Sequence, residues 1–353
     1  MNFDPTDDRR MLADSISRYL ADNYGWEHRL KIAYEAPFHD PQKWAEMSEL
    51  GVLFALADES AGGFGGAGFD IYTVFSELGR ALCPEPVLPA LMAAKLLAAA
   101  GEDLTPLLSG KTRYAVAIGE LSAPYDLDEI ETEASGDTLS GRKSVVYGAH
   151  GADTFLVAAR NGDTIGLYAV AADAARLTTY GLIDGGSAAE LFLEDTPARC
   201  ILSDAAAAFA DAQDAGALAL CAEAVGAMDT CKDTLLDYLK TRKQFGKAIG
   251  SFQVLQHRMV DLTIEIEQAR SITILAASRM GTPEQSRTVS MAKNLIGRVA
   301  KQIAEESIQM HGGIAMTWEY PASHYAKRLI MIDHQLGDTD YHLQRVMAAN
   351  QAA

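Results

Sequence analysis

Hydrophobic positions recur at three- and four-residue steps over much of the chain from Ala205 onward, which is the spacing of one buried face on an α-helix. The pattern predicts a helix over residues 215–240 and a second helix that starts with Ser251 as its N-cap. A third helix is predicted to start with Thr282 as its N-cap and to end at Gly312. We therefore expect a long antiparallel helical bundle in this part of the chain.

The N-terminal part shows similar helical spacing, whereas residues 112–203 do not. That middle stretch contains short apolar runs bounded by turn residues, among them Tyr114–Ile118, Thr154–Ala158 and Ile165–Val170. The dipeptide Asn161-Gly162 separates the last two runs and is a strong signal for a β-hairpin. Short strands at this spacing favour an antiparallel sheet over a parallel one.

These patterns predict an α+β chain of three domains. Residues 1–111 form an N-terminal helical domain, and residues 112–204 form a middle antiparallel β barrel or sandwich. Residues 205–353 form a C-terminal domain that resembles a four-helix bundle.

The chain carries a formal net charge of −18, which limits its partners. Nucleic acid and anionic membrane surfaces are excluded as main partners because both repel an acidic protein. The four cysteines lack the C-x-x-C spacing of a metal site and indicate reduced thiols, and the acidic N-terminus is unlike a signal peptide. We therefore expect a cytoplasmic protein. No metal site is expected either, because four histidines are spaced too irregularly to share one helix face: His311, His324, His334 and His342.

One stretch, residues 241–257, combines features that suit a ligand. Gly246 and Gly250 interrupt the helical pattern there and predict a corner between two helices. The corner holds three cationic and two aromatic side chains: Arg242, Lys243, Lys247, Phe245 and Phe252. Fixed guanidinium donors, a helix start and aromatic surface together suit a phosphorylated, ring-bearing ligand. The alternative is a solvated basic hairpin without a ligand.

A second glycine-rich stretch, residues 63–68, matches the G-x-G-x-x-G pattern of dinucleotide-binding proteins. It would make the chain an NAD-dependent Rossmann oxidoreductase. The context is poor, because residues 58–61 separate the preceding apolar run from the glycines and no repeated strand–helix–strand units follow. A surface loop explains these glycines better.

Two motifs resemble the acyl-CoA dehydrogenase family. They are Arg242–Gln253, with Gln256-His257 after it, and Gln309–Gly313, followed by Glu319-Tyr-Pro321. The chain looks most similar to the small subunits of two-subunit dehydrogenases that act on dicarboxylic (pimeloyl-type) or steroid-side-chain acyl-CoAs. The resemblance implies FAD as cofactor, an acyl-CoA substrate, a homo- or hetero-oligomer (dimer or tetramer), and electron-transfer flavoprotein as the acceptor.

The resemblance also implies roles for single residues. Four of them match positions that contact the FAD of a neighbouring subunit: Arg242, Phe245, Phe252 and Gln253. Four more match the segment that wraps the pyrophosphate and ADP part of FAD: Gln309, His311, Gly312 and Gly313. No flavin contact is carried over to the middle domain, where this sequence departs from the family pattern.

The family's chemistry needs a carboxylate base beside the thioester, and this chain lacks the usual Tyr-Glu-Gly-Thr segment. Counting forward from Gln309 puts Leu336 at the base position, whereas counting back from Arg345 puts Asp338 there, which implies a local insertion. We take Asp338 as the candidate catalytic base. Asp237 on the long helix is an alternative, since some relatives keep their base on that helix. A chain without any base would be a catalytically silent, FAD-binding subunit of a hetero-oligomer.

Overall fold

The computed structural model describes residues 5–351, so the first four residues of the acidic N-terminal segment lie outside the described part. The predicted order of helices, then strands, then helices is confirmed. The first helices are α1 Asp7–Asn23, α2 Trp26–Tyr34, α3 Pro41–Glu49, α4 Gly68–Ala81, α5 Val87–Ala99 and α6 Thr105–Leu108. The strands of the middle part are β1 Tyr114–Ala117, β2 Glu133–Ser135, β3 Thr138–Tyr147, β4 Thr154–Asn161, β5 Thr164–Ala171, β6 Arg176–Gly181, β7 Ser187–Pro197 and β8 Arg199–Leu202. The last elements are α7 Ala206–Thr241, β9 Lys243–Gln244, β10 Lys247–Ala248, α8 Gln253–Arg279, α9 Gln285–His311, α10 Pro321–Asp333 and α11 Thr339–Gln351.

The eight strands β1–β8 form one sheet, in the order β6-β7-β3-β2-β4-β5-β8 with β1 beside β4. Most neighbours are antiparallel, as predicted, but β1 and β2 each run parallel to β4. β2 and β4 share the single pair Glu133–Arg160, so the two halves of the sheet are joined narrowly. The path begins at β6 and ends at β8, so this part is an open sheet and not a closed barrel.

The hairpin predicted at Asn161-Gly162 is confirmed. Asn161 pairs with Thr164 across the turn, and the antiparallel register continues to the pair Thr154–Ala171. Gly162 has a φ of 62°, in the left-handed region that a tight hairpin turn requires and that glycine adopts without steric cost. Local turn chemistry therefore sets this register.

The chain folds into two compact units. Among the described residues, one contains residues 5–26, Gly68–Cys83 and residues 217–351, and the other contains Glu27–Ala67 and Pro84–Gly216. Domain boundaries after residues 111 and 204 stay a prediction. Between residues 5 and 351, no helix combines the length and the apolar character that crossing a membrane would require.

Helices α4 and α7 approach each other closely in the first unit because two glycines lie at their crossing. A Cβ on Gly79 would lie 2.0 Å from the Glu223 carbonyl oxygen, and one on Gly226 would lie 1.9 Å from the Ser76 carbonyl oxygen. Any side chain at either position would therefore force the backbones apart. This contact fixes α7, whose C-terminal end leads into the candidate site.

Two predicted helix starts are wrong by one or two residues. α8 begins at Gln253, and the Ser251 hydroxyl donates back to the Ala248 carbonyl at 2.7 Å instead of capping the helix. α9 begins at Gln285, two residues later than Thr282 as N-cap would place it. Thr282 Oγ1 still accepts from the Glu284 N–H at 3.3 Å, so its capping capacity serves the turn before the helix.

The glycine-rich stretch 63–68 lies in a loop that leads into α4. Within the described chain, no strand precedes it, and a Cβ on Gly63 or Gly65 would lie 2.1 or 2.2 Å from the carbonyls of Ala57 and Ala55. These glycines allow the loop to pack on its own backbone, so the Rossmann alternative is wrong.

Candidate functional site

A short hairpin forms the corner between α7 and α8. β9 and β10 pair antiparallel, with Lys247 opposite Gln244. The two turn residues, Phe245 and Gly246, have φ angles of 53° and 80°, as in a type I′ hairpin turn. Positive φ is uncommon for a bulky residue, so the hairpin holds Phe245 at its tip against a local preference.

The two aromatic side chains of the corner differ in exposure, since Phe252 is half-buried. Phe245 is 90% exposed. Its ring lies 6.2 Å from the ring of Phe252 in an edge-to-face arrangement, and Lys247 Nζ lies 4.2 Å from the centre of the Phe252 ring. An exposed and a half-buried aromatic ring beside a cation form a surface suited to a planar, anionic ligand.

The backbone of Arg242 is hydrogen-bonded, whereas its side chain is available to a ligand. Its N–H donates to the Tyr238 carbonyl at 2.8 Å, and its carbonyl accepts from the Ile249 N–H at 2.9 Å. The guanidinium is exposed and makes no ion pair within residues 5–351. Gln253, also exposed, is the first residue of α8, where backbone N–H groups lack helical partners. The corner can therefore hold an anionic group.

The second predicted motif lies where α9 ends. Gln309, Gly312 and Gly313 are exposed, and Gly312 ends the helix with a φ of 68°. A Cβ built on either glycine would meet no atom within 4 Å. The backbone of this segment is therefore open to a ligand.

His311 differs from its neighbours because its side chain is buried, with 3% exposed. The ring lies between Tyr238 and Tyr320, with centroid distances of 4.9 and 5.2 Å, and its Nδ1 donates to the Ser307 carbonyl at 2.8 Å. Burial lowers the pKa of His311 below its usual value, which favours the neutral ring. A ligand along the exposed segment would meet the backbone of His311, and contact with the ring itself stays a prediction.

Both predicted cofactor motifs lie at the same end of the helical bundle. His311, the last residue of α9, contacts Tyr238 near the end of α7. Arg258, in the second turn of α8, forms an ion pair with Glu306 of α9 at 2.5 Å. The start of α8 and the ends of α7 and α9 therefore meet, which brings together motifs that are far apart in sequence.

The predicted base, Asp338, lies directly before α11. Its Oδ1 accepts from the Tyr341 N–H at 2.8 Å, so the carboxylate caps the helix. The side chain is half-buried, and Oδ2 has no hydrogen-bond partner in the described part of the chain. Leu336 and Gly337 turn the chain before it, with φ angles of 55° and 101°.

Two buried side chains that were not predicted from the sequence hold this loop. Lys293 of α9 donates from Nζ to the carbonyls of Ile332, Asp333 and Gly337 at 2.9, 3.0 and 2.7 Å. His342 of α11 donates from Nε2 to the Leu336 carbonyl at 3.0 Å. Burial lowers the pKa of Lys293 to about 8 and, with the nearby charge of Lys293, that of His342 to about 3.

The carboxylates of α7 offer a second place for a base. Asp237, the predicted alternative, is exposed. Glu223 is bound by both donors of the Arg328 fork at 2.6 and 2.7 Å, and Asp229 is bound by Arg80 and Arg270 at 2.8 and 2.7 Å. Both oxygens of each of these carboxylates therefore bind arginines.

The middle sheet contains a buried ion pair that was not predicted from the sequence. Lys143 is fully buried, and its Nζ donates to Glu120 Oε1 at 2.7 Å and to the Ile118 carbonyl at 2.9 Å. The Glu120 carboxylate also accepts from the Thr132 hydroxyl and from the N–H groups of Thr132 and Glu131. The pair ties the segment after β1 to β3.

No group of three or more metal-binding side chains is found between residues 5 and 351.

Comparison with known proteins identifies the family. Residues 6–104 match the acyl-CoA dehydrogenase N-terminal domain, and residues 205–350 match the C-terminal domain. The chain is 31% identical to acyl-CoA dehydrogenase IpdE2 of Mycobacterium tuberculosis, over 92% of this chain and 91% of that protein.

Solved structures show the same fold. The Tcur3481-Tcur3483 steroid ACAD G363A variant is 28% identical with a TM-score of 0.90, covering 98% of this chain and 99% of that one. The ChsE4-ChsE5 complex from Mycobacterium tuberculosis has a TM-score of 0.91 at 23% identity, with both chains covered completely. Other structures of this fold hold FAD or FADH2. The chain belongs to the acyl-CoA dehydrogenase family.

Proposed function

We propose that this chain is an FAD-binding subunit of an enzyme that removes hydrogen from Cα and Cβ of an acyl-CoA thioester. The observation that carries the proposal is the meeting, at one end of the bundle, of the exposed corner at Arg242 with the open glycine segment after α9. Bound FAD supplies the acceptor for the β-hydride. The protein supplies the cofactor contacts and orients the thioester.

The residues present fit FAD. The free guanidinium of Arg242 can make charge-assisted, bidentate bonds to a phosphate. Gly312 and Gly313 leave room for a pyrophosphate to approach the backbone. The exposed Phe245 and the half-buried Phe252 add aromatic surface beside these groups, and Gln253 and Gln309 add exposed amides.

We take Asp338 as the base that removes the α-proton. A base must hold its carboxylate in one orientation and keep one oxygen free for the proton. The Tyr341 N–H fixes Oδ1 of Asp338, while Oδ2 has no partner between residues 5 and 351. This arrangement supports the assignment.

A second candidate function is a catalytically silent subunit. The bond between Asp338 and the Tyr341 N–H favours it, because a helix cap explains this aspartate without any catalytic role. The partner chain would then supply the base. A hetero-oligomer is consistent with the ChsE4-ChsE5 complex, whose fold this chain shares. Electron-transfer flavoprotein as acceptor and the choice between homo- and hetero-oligomer stay predictions.

The experiment is anaerobic single-turnover bleaching of the flavin. The protein is purified with any chain that copurifies from its neighbouring gene, and then mixed with butyryl-, octanoyl-, pimeloyl- and steroid-side-chain CoA. The panel also identifies the acyl chain that the enzyme prefers. We expect at least one thioester to bleach the flavin.

Two variants separate the candidate functions. Asp338→Asn should keep FAD and lose at least a hundredfold in bleaching rate if Asp338 is the base. Asp340→Asn is the matched control, because Asp340 lies two residues away, in the first turn of α11, and is exposed. Parental bleaching by Asp338→Asn in the complex would instead support the silent subunit.

A further inference from the structure

Lys293 is a fully buried cation that forms no ion pair in the described residues. Its Nζ has three donors, and each is used on a backbone carbonyl of the loop between α10 and α11. Burying a charge is costly unless it is fully hydrogen-bonded. We therefore expect this buried cation to have a specific structural role in the loop.

The carbonyls that Lys293 contacts lie on both sides of the loop. Ile332 and Asp333 end α10, where carbonyls lack helical partners and a cation is favourable. Gly337 directly precedes Asp338. One side chain therefore ties the end of α10 to the residue before the predicted base.

Other contacts further restrict the conformation of the loop. His342 donates to the Leu336 carbonyl at 3.0 Å, and Asn294 donates to the Thr339 carbonyl at 2.9 Å. A Cβ on Gly337 would lie 2.4 Å from Tyr341 Cδ1, so the turn accepts glycine alone. The conformation of the loop depends on donors from two other helices, with Lys293 making the most bonds.

We propose that Lys293 is a positioning residue that sets the orientation of Asp338 by holding the Gly337 carbonyl against the end of α10. The inference rests on the proposed function, since it assigns Lys293 a part in the same reaction. Lys293 does not touch the thioester and acts only through the loop.

The location of Lys293 allows a clean test. It lies about five turns before His311 along α9, a separation of about 27 Å at the usual helical rise. A change at Lys293 should therefore leave the cofactor contacts at Arg242 and Gly312 in place. Lys301, exposed on the same helix, provides a matched control.

The first arm measures the reaction in the copurified complex with the thioester that bleaches the parent fastest. Lys293→Met, which removes the three donors at similar volume, should bleach at least tenfold more slowly with unchanged FAD per chain, while Lys301→Met behaves as the parent. The double variant Lys293→Met/Asp338→Asn should be no slower than Asp338→Asn alone, because both changes act through one carboxylate. A parental rate in Lys293→Met, or rate losses that multiply in the double variant, would overturn the proposal. A loss of FAD from Lys293→Met in parallel with the loss of rate would also overturn the proposal.

The second arm needs no activity. Amide hydrogen exchange in Lys293→Met should speed up at Tyr341 and His342, whose N–H groups donate to Asp338, and stay unchanged at the corner around Phe245. Unchanged exchange at Tyr341 and His342 would contradict the proposal. If Lys293→Met does not fold, Lys293→Gln is measured in both arms with the same criteria, because its shorter side chain carries only two N–H donors and cannot replace all three bonds. A parental complex that no thioester bleaches would refute the proposed function, whereas the exchange arm still tests the positioning.

Discussion

Replacing Lys143 by Met tests the buried ion pair of the middle sheet. The substitution keeps an unbranched side chain of similar volume but leaves the Glu120 carboxylate, 6% exposed at its side chain, without its cation. Burial alone would raise the pKa of Glu120, and the charge of Lys143 together with the hydrogen bonds holds it below its usual value. The variant therefore leaves a buried charge that is only partly compensated.

The expected cost follows from these contacts. Removing one partner of a buried ion pair destabilises a protein by about 3–5 kcal/mol. Three hydrogen bonds from Thr132 and Glu131 remain on the carboxylate, so we expect the lower end, about 3 kcal/mol in the free energy of unfolding. The double variant Lys143→Met/Glu120→Gln should recover part of this loss, because it leaves no unpaired charge.

Urea unfolding followed by circular dichroism measures the change in the free energy of unfolding. The slope of this free energy against urea concentration shows whether the variant unfolds in the same transition as the parent. Lys111→Met is the control, since Lys111 is exposed and its loss should change stability by less than about 0.5 kcal/mol. A Lys143→Met variant as stable as the parent would refute the argument, as would a double variant that is less stable than the single one.

Three further predictions follow from the site. Arg242→Ala should bind FAD about 10- to 100-fold more weakly than the parent when flavin retention is measured by dialysis, because it loses a charge-assisted bond of about 1.5–3 kcal/mol. Equal retention in Arg242→Ala and in the exposed control Arg298→Ala would show that the corner is a solvated hairpin without a ligand. His342 has a pKa lowered to about 3, so its unfolded form takes up a proton first as pH falls below 6.5. Stability should then drop by on the order of 4 kcal/mol by about pH 3, and His342→Gln should flatten this acid limb in pH-dependent unfolding. Gly337→Ala should cost at least about 1 kcal/mol because of its φ of 101° and the clash with Tyr341, whereas Gly25→Ala, with no atom near its Cβ, should be neutral in the same unfolding assay.

Periodicity and turn chemistry predicted the helices and the 161–162 hairpin because both depend on neighbouring residues. The helix starts at Ser251 and Thr282 were misplaced because each hydroxyl donates to a carbonyl of the preceding turn, that of Ala248 for Ser251 and that of Arg279 for Thr282. The parallel pairing of β1 with β4 could not be predicted from alternation, which is the same for either strand direction.

Only the parts of the site that depend on neighbouring residues could be predicted from the sequence. Arg242 and Gly312 belong to local motifs, so their place at a corner and a helix end was predictable. The role of Lys293 was not, because its partners are backbone carbonyls 39 to 44 residues away and leave no mark in the sequence. The cap formed by Asp338 depends on where α11 begins, which periodicity predicts only within a few residues.

The most direct test of the central claim is the visible spectrum of the copurified complex before and after anaerobic addition of acyl-CoA. We expect a yellow protein whose FAD bleaches with at least one thioester of the panel, and whose Arg242→Ala variant retains less flavin. A complex that binds no FAD, or one whose FAD no thioester bleaches, would contradict the central claim.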